Sequence, residues 1–192
     1  MSLRRLISCV VVAGFALGAQ AAWAGVTVHY EGKAHDRSAV DEIMSIVRAE
    51  AVRNGWEIKD ASVPAASITR IIDGKDIPYR GPLNGVVLFP DPMCEPLYFQ
   101  FGSDLFMQDF VKTQFGGPDV HVSIIEILRK LKPFFSHLKV EDEGDYWSTG
   151  NRKTLEGHMQ QVNAMIQEIK RARPGVRGPV KVESGRILDI LQ

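Results

Sequence analysis

The run from Val111 to Trp147 constrains the fold most, because a helical period gives way there to a strand period across one proline. Val120, Ile124, Ile127, Leu128 and Leu131 recur at intervals of three and four, Asp119 stands where a helix cap belongs, and Pro133 cannot continue the helix. Arg129, Lys130 and Lys132 then fall near the negative end of the helix dipole. From Leu138 to Asp142 the pattern alternates, placing Leu138, Val140 and Asp142 on one face and Lys139 and Glu141 on the other. A helix and strand joined so closely pack against each other, which aims Asp142 toward the helix that carries His121.

The flanking segments extend the same mixture. Val26 to Glu31 alternates as a half-buried strand, with Val26 and Val28 on its inner face. After Asp36 or Ser38, Val40, Ile43, Met44, Val47 and Ala51 draw one helical stripe that Asn54-Gly55 terminates, and Trp56 to Lys59 follows as a short strand. Ser62 to Asn84 is rich in proline and glycine. Within it, Asp73-Gly74 separates Ile68–Ile72 from Lys75–Tyr79 as a hairpin turn, while Pro78 and Pro82 confine this arm to a sheet edge or a loop. Val86–Phe89, Leu97–Phe101 and Leu105–Phe110 read as a three-stranded meander with Leu97, Phe99 and Phe101 facing the core. Arg152 to Arg171, capped by Asn151 or Thr154, carries a stripe of Leu155, Met159, Val162, Ile166 and Ile169. The element order predicts an α+β fold: a mixed, mostly antiparallel sheet with about three helices packed on one face, forming a single domain over residues 25–172. Residues 173–192 form a basic tail with glycine and proline, expected to be partly ordered.

Residues 1–24 read as a secretory signal peptide. Arg4 and Arg5 open it, Leu6 to Leu17 is apolar and uncharged, and Ala22-Trp23-Ala24 supplies the small residues of a cleavage site before Gly25. The apolar run falls short of the ~20 residues of a membrane span. Most of it follows Cys9, which argues against a lipoprotein box and hence against a membrane anchor. The expected location is the periplasm or the exterior, after Sec-type export. Cleavage removes two of 23 basic residues and none of the 23 acidic ones, leaving a formal charge of −2. Such a balance offers no basic footprint for nucleic acid. Cys9 also leaves, so Cys94 has no intramolecular disulfide partner and reads as a buried thiol.

The residues able to carry chemistry are few. His121 lies beside the apolar stripe and is expected at the margin of the buried face, where Asp142 could orient its imidazole. The acidic run Glu141, Asp142, Glu143 and Asp145 diverges in a strand, so it does not converge on a cation. The five histidines are scattered and show no zinc spacing, so neither metal nor cofactor is expected. Glu95 beside Cys94 disfavours a nucleophilic thiolate. Lys112-Thr113-Gln114 before Gly116-Gly117 reverses the order of a phosphate-binding loop and reads as a shaped connection. Tyr146 and Trp147, next to Asp142, Glu143 and Asp145, have the composition of an interface hot spot and form the expected binding edge.

These observations favour a non-catalytic, protein-binding module of the inhibitor or immunity type. A small hydrolase using His121 with Asp142, aided by Glu143 or Glu95, is the first alternative. A small-molecule carrier with an apolar cavity beneath the helices is the second.

Overall fold

A computed structural model describes residues 25–191; the expected signal peptide lies outside the described residues. The first strand, β1 (Thr27–Ala34), is the centre of a three-stranded antiparallel sheet, flanked by β6 (Phe106–Lys112) and β7 (Phe135–Asp142). Its alternation buries Val28 and Tyr30, and it passes into α1 (Arg37–Asn54) through Asp36, whose carboxylate accepts the Ala39 N–H at 2.8 Å. Gly55 ends α1 in the left-handed conformation.

A second antiparallel sheet is built on one long strand, β4 (Lys75–Phe89). β2 (Glu57–Asp60) and β3 (Val63–Ile72) pair with it in succession along one edge, while β5 (Leu97–Gly102) takes the opposite edge at Leu83–Leu88. Two segments expected as separate strands, Lys75–Tyr79 and Val86–Phe89, are thus continuous through Pro78 and Pro82. The prolines are tolerated because both lie in the half of β4 whose second edge pairs with no described strand. Ile72 and Lys75 close a two-residue turn in which Asp73 (φ 50°) and Gly74 (φ 71°) are both left-handed, the backbone that the Asp-Gly pair favours.

The expected meander is corrected after its second strand. β4 and β5 pair, but β6 pairs with β1 in the other sheet. The switch occurs at Gly102–Leu105, where the left-handed Leu105 (φ 64°) gives its carbonyl to the Ala34 N–H. The two sheets, α1 and α2 (Pro118–Leu131) enclose one core, in which Tyr30, Phe99, Phe101, Ile43, Ile124 and Leu128 are fully buried. After a 3-10 turn at Lys132–Phe134 and β7, a one-turn helix α3 (Tyr146–Thr149) leads to α4 (Arg152–Ala172), capped by Asn151. α4 lays Leu155 and Met159 against Val26.

The tail of residues 173–192 carries one small element. β8 (Val180–Lys181) and β9 (Ile187–Leu188) form a small hairpin that buries Ile187 and returns Asp189 to the start of β1. Polar side chains hold it in place as much as apolar burial does, which explains why its weak hydrophobic pattern conceals it.

Candidate functional site

β7 and α2 bring His121 and Asp142 together, as the shared facing predicted. Nε2 of His121 lies 3.1 Å from Oδ1 of Asp142, off the axis of a straight hydrogen bond, and Nδ1 lies 2.7 Å from the Thr113 hydroxyl. Thr113 also reaches the Val26 carbonyl at 3.2 Å. Asp142 accepts the N–H groups of Gly144 and Trp147, both at 2.7 Å. Burial alone would raise the Asp142 carboxyl. The His121 ring beside it and the two N–H groups outweigh burial and hold the carboxyl below its ordinary range.

Two sequence expectations change here. His121 is expected at the margin of the core, but it is fully buried and its side chain is 0% exposed. The Asp142 side chain is 2% exposed, so it is an internal anchor and not part of a binding edge. The reason is the short Gly144 turn. A Cβ there would stand 2.5 Å from Leu155 and 3.1 Å from both His121 and Asp142, so only glycine lets α3 and α4 fold over the pair. A general base must reach the proton it removes. In this structure the sealed ring has no open path to a substrate, and Glu95, named beside it in the hydrolase alternative, is likewise only 2% exposed. Asp119, expected to cap α2, instead occupies the first turn after Gly117 and meets Arg152 at 2.5 Å.

Tyr146 and Trp147 form part of the roof. Both are half-buried against the core, and Tyr146 meets the His121 ring edge-on with centroids 6.5 Å apart. The Arg129 guanidinium lies 5.2 Å from the Tyr146 ring and 5.8 Å from the Trp147 ring, and donates to both residues' carbonyls at 2.9 Å. Of the expected binding edge, Glu143 and Asp145 remain exposed; Glu143 spends one carboxylate oxygen on the Thr27 N–H. Lys112-Thr113-Gln114 is a structural knot, with the buried Gln114 joining the Val26 N–H to the Met159 carbonyl and Asn163.

A second polar centre was not legible in the sequence. The buried carboxylate of Glu95 accepts the N–H groups of Lys112 (3.0 Å) and Ile187 (2.8 Å) and the Arg186 guanidinium (3.1 Å). Arg186 also reaches Asp109 at 2.9 Å and stacks over Phe110, 3.9 Å from its centroid. Burial raises the Asp109 carboxyl more than Arg186 lowers it. The adjacent Cys94 is buried, and desolvation first, then Glu95, push its thiol up to about 12. Such a thiol is inert. The one available clue was Ser184-Gly185 between Val180–Val182 and Ile187–Leu191, a turn between two weakly apolar runs.

A third cluster fastens the β3–β4 arm. Arg70, buried in spite of its charge, forks onto Asp104, reaches the Phe106 carbonyl at 3.3 Å and stacks on Tyr79 at 4.0 Å. Gln108 binds both the N–H and the carbonyl of Ile71. On either side of these clasps Val63, Ile68, Ile71 and Ile77 are left partly exposed.

A cleft of about 630 Å³ separates the end of α4 from the C-terminal hairpin, lined by Lys112, Glu168, Ile169, Ala172, Leu188 and Asp189 among others. Among the described residues, no group of three or more His, Cys, Asp or Glu side chains is arranged to hold a metal ion, and no helix is long and apolar enough to cross a membrane. Comparison with protein-family models, with curated proteins and with solved structures returned no match for this chain.

Proposed function

We propose that this chain is an exported, non-catalytic binding protein that engages a protein partner through its β3–β4 arm. The observation that carries the reading is the concentration of exposed isoleucine on that hairpin: Ile68 is 39%, Ile71 43% and Ile77 41% accessible. Leaving large apolar side chains in water on a paired hairpin is unfavourable unless a partner covers them. The arm also has the construction of a presented element. Its tip is a tight Asp73-Gly74 turn, and Arg70 and Gln108 fasten the strand just before that turn to the body, which fixes how the arm is held. The partner that fits is a protein with an apolar cleft that grips the ribbon from both sides, Ile68 and Ile77 on one face and Ile71 on the other, since the mixed charges of Asp73, Lys75, Asp76 and Arg80 give the arm no single-sign field for nucleic acid or an anionic surface. The sealed His121 and inert Cys94 support a role without catalysis.

The test is photo-crosslinking from residue 71 or 77 in periplasmic extract, with the exposed helical position Val52 as control. A defined protein band from both arm positions, absent from position 52 and competed away by unlabelled wild type but not by an Ile71→Asp, Ile77→Asp variant, is the expected result. Equal labelling from position 52, or competition by the variant, overturns it. The variant itself should lose about 1–2 kcal/mol of stability, because each side chain is a little over half covered and Ile71→Asp faces Asp76 across the ladder.

A second reading, a small-molecule carrier, has the cleft beside α4 in its favour. It predicts that filling the cleft with Ala172→Trp abolishes ligand-induced thermal stabilisation. If that substitution leaves the stabilisation unchanged, the cleft is not the carrier site.

A further inference from the structure

We infer that the structure contains a preformed receptor for the chain's own new amino terminus, completed when the leader is cut between Ala24 and Gly25. The inference rests on the export reading for the cut itself, and on independent geometry for the receptor.

Gly25 and Asp189 meet across almost the whole chain. The Gly25 nitrogen donates to Oδ2 of Asp189 at 3.3 Å, and the same oxygen accepts the Lys112 ammonium at 2.9 Å. The second oxygen, Oδ1, has no hydrogen-bond partner among the described residues, although the Asp189 side chain is only 9% exposed. A buried carboxylate oxygen left unsatisfied is costly and calls for a missing donor. That oxygen also borders Gly25, since an atom built at the Cβ position of Gly25 would lie 3.0 Å from it.

A peptide nitrogen at Gly25 has one hydrogen to offer, and Oδ2 takes it. Hydrolysis of the Ala24–Gly25 bond by a leader peptidase consumes one water and leaves a carboxylate on Ala24 and an amine on Gly25, which takes up a proton at neutral pH. The resulting ammonium has three hydrogens. It keeps the bond to Oδ2 and can supply Oδ1, turning a neutral amide contact into a charge-assisted one. Lys112 and Arg173 on the cationic side and Asp189 and Glu168 on the anionic side line the adjoining cleft, so a new cation enters a mixed field and not a purely positive one.

The surrounding contacts explain why the first residue is glycine. The Cβ position there is 3.0 Å from Gln114 as well as from Asp189, so any larger residue would have to push these side chains aside. The Thr27 hydroxyl bonds the Gly25 carbonyl at 2.8 Å and Gln114 takes the Val26 N–H at 3.0 Å, so the start of the mature chain is held in register. Because Asp189 follows β9 directly, capture of the ammonium fastens the C-terminal hairpin to β1. The two ends of the domain become one latch that is complete only after processing.

The test compares three forms of the otherwise complete mature chain: one beginning at Gly25 with a free amine, one acetylated on that amine, and one extended by Ala24. Amide exchange in Arg186–Leu191 should be roughly tenfold slower in the free-amine form than in either other form, the change expected from one charge-assisted hydrogen bond. Asp189→Asn should abolish that difference, and acylation of the Gly25 amine should be roughly tenfold faster in this variant than in wild type. Equal exchange in all three wild-type forms overturns the latch, as does a difference that persists in Asp189→Asn. Should Asp189→Asn fail to fold, the free and acetylated wild-type forms still decide the matter. Amino-terminal sequencing of the exported protein separates the two readings. A start other than Gly25 overturns the latch while leaving export standing, and an uncut chain retained in the cytoplasm overturns export and the latch together.

Discussion

Replacing His121 with leucine isolates what the buried pair contributes. Leucine fills much of the imidazole's volume, so the main change is electrostatic: the Asp142 carboxylate, 2% exposed, loses the ring 3.1 Å away and keeps only the Gly144 and Trp147 N–H groups. Leaving a buried carboxylate without its partner costs about 3–5 kcal/mol, and the two surviving donors place this site near the lower end. Thr113 loses its contact with Nδ1 but keeps the Val26 carbonyl, which adds about 1 kcal/mol at most. The total of about 3–4 kcal/mol corresponds to a fall in Tm of roughly 10 °C for a domain of this size.

The same variant carries a pH signature. In wild type the Asp142 carboxyl is held below its ordinary range, so its contribution to stability is present above about pH 4 and is lost as pH falls through the folded-state value. Without His121 burial is opposed only by the Gly144 and Trp147 N–H groups, which diminishes that contribution. The stability difference between wild type and His121→Leu should therefore be largest near pH 7 and shrink toward pH 3, as measured by urea unfolding across that range. Adding Asp142→Asn to His121→Leu should recover about 1–2 kcal/mol at pH 7, because no buried charge is then left unpaired. A loss below about 1 kcal/mol, or a loss independent of pH, would refute the assignment of the pair as a structural anchor built on the Asp142 carboxylate.

Two further outcomes test other parts of the fold. Arg186→Met removes the guanidinium that joins Glu95 to Asp109 and should destabilise by about 2–3 kcal/mol, since Glu95 retains two backbone donors and Arg186 is itself partly solvated. It should also make the otherwise unreactive Cys94 label with a thiol reagent at pH 8; wild-type labelling rates in the variant would show that the hairpin is not what covers the thiol. Gly85→Ala places a Cβ 1.8 Å from the Phe99 carbonyl in the β4–β5 ladder and should cost about 3 kcal/mol or more, with an intact circular dichroism melt showing otherwise.

The sites divide by the range of the interactions that make them. The pairing of His121 with Asp142 was legible because each side chain's direction follows from local period, helical for one and strand for the other. Their burial was not, since it depends on Gly144 letting Leu155 of α4 close over them, a contact between segments that neither period describes. The Asp73-Gly74 turn was legible for the same local reason. The destination of β6 was not, because a strand's pattern states which face is buried and not which neighbour it pairs with. Tyr146 and Trp147 looked like an exposed hot spot by composition, yet Arg129 from α2 stacks beside both rings and makes them part of a roof.

The sequence by itself determined the α+β class, the strand and helix periods, the tight hairpin turn and the approach of Asp142 to His121. Each of these is decided within a few residues by backbone sterics and the facing of side chains. Tertiary structure alone decided that the pair is sealed, that Glu95 and Arg186 meet, that isoleucines of the arm stay in water, and that Gly25 lies beside Asp189. Those outcomes depend on which distant surfaces exclude water from one another. A polar residue's role in this protein follows from that exclusion more than from its chemical type.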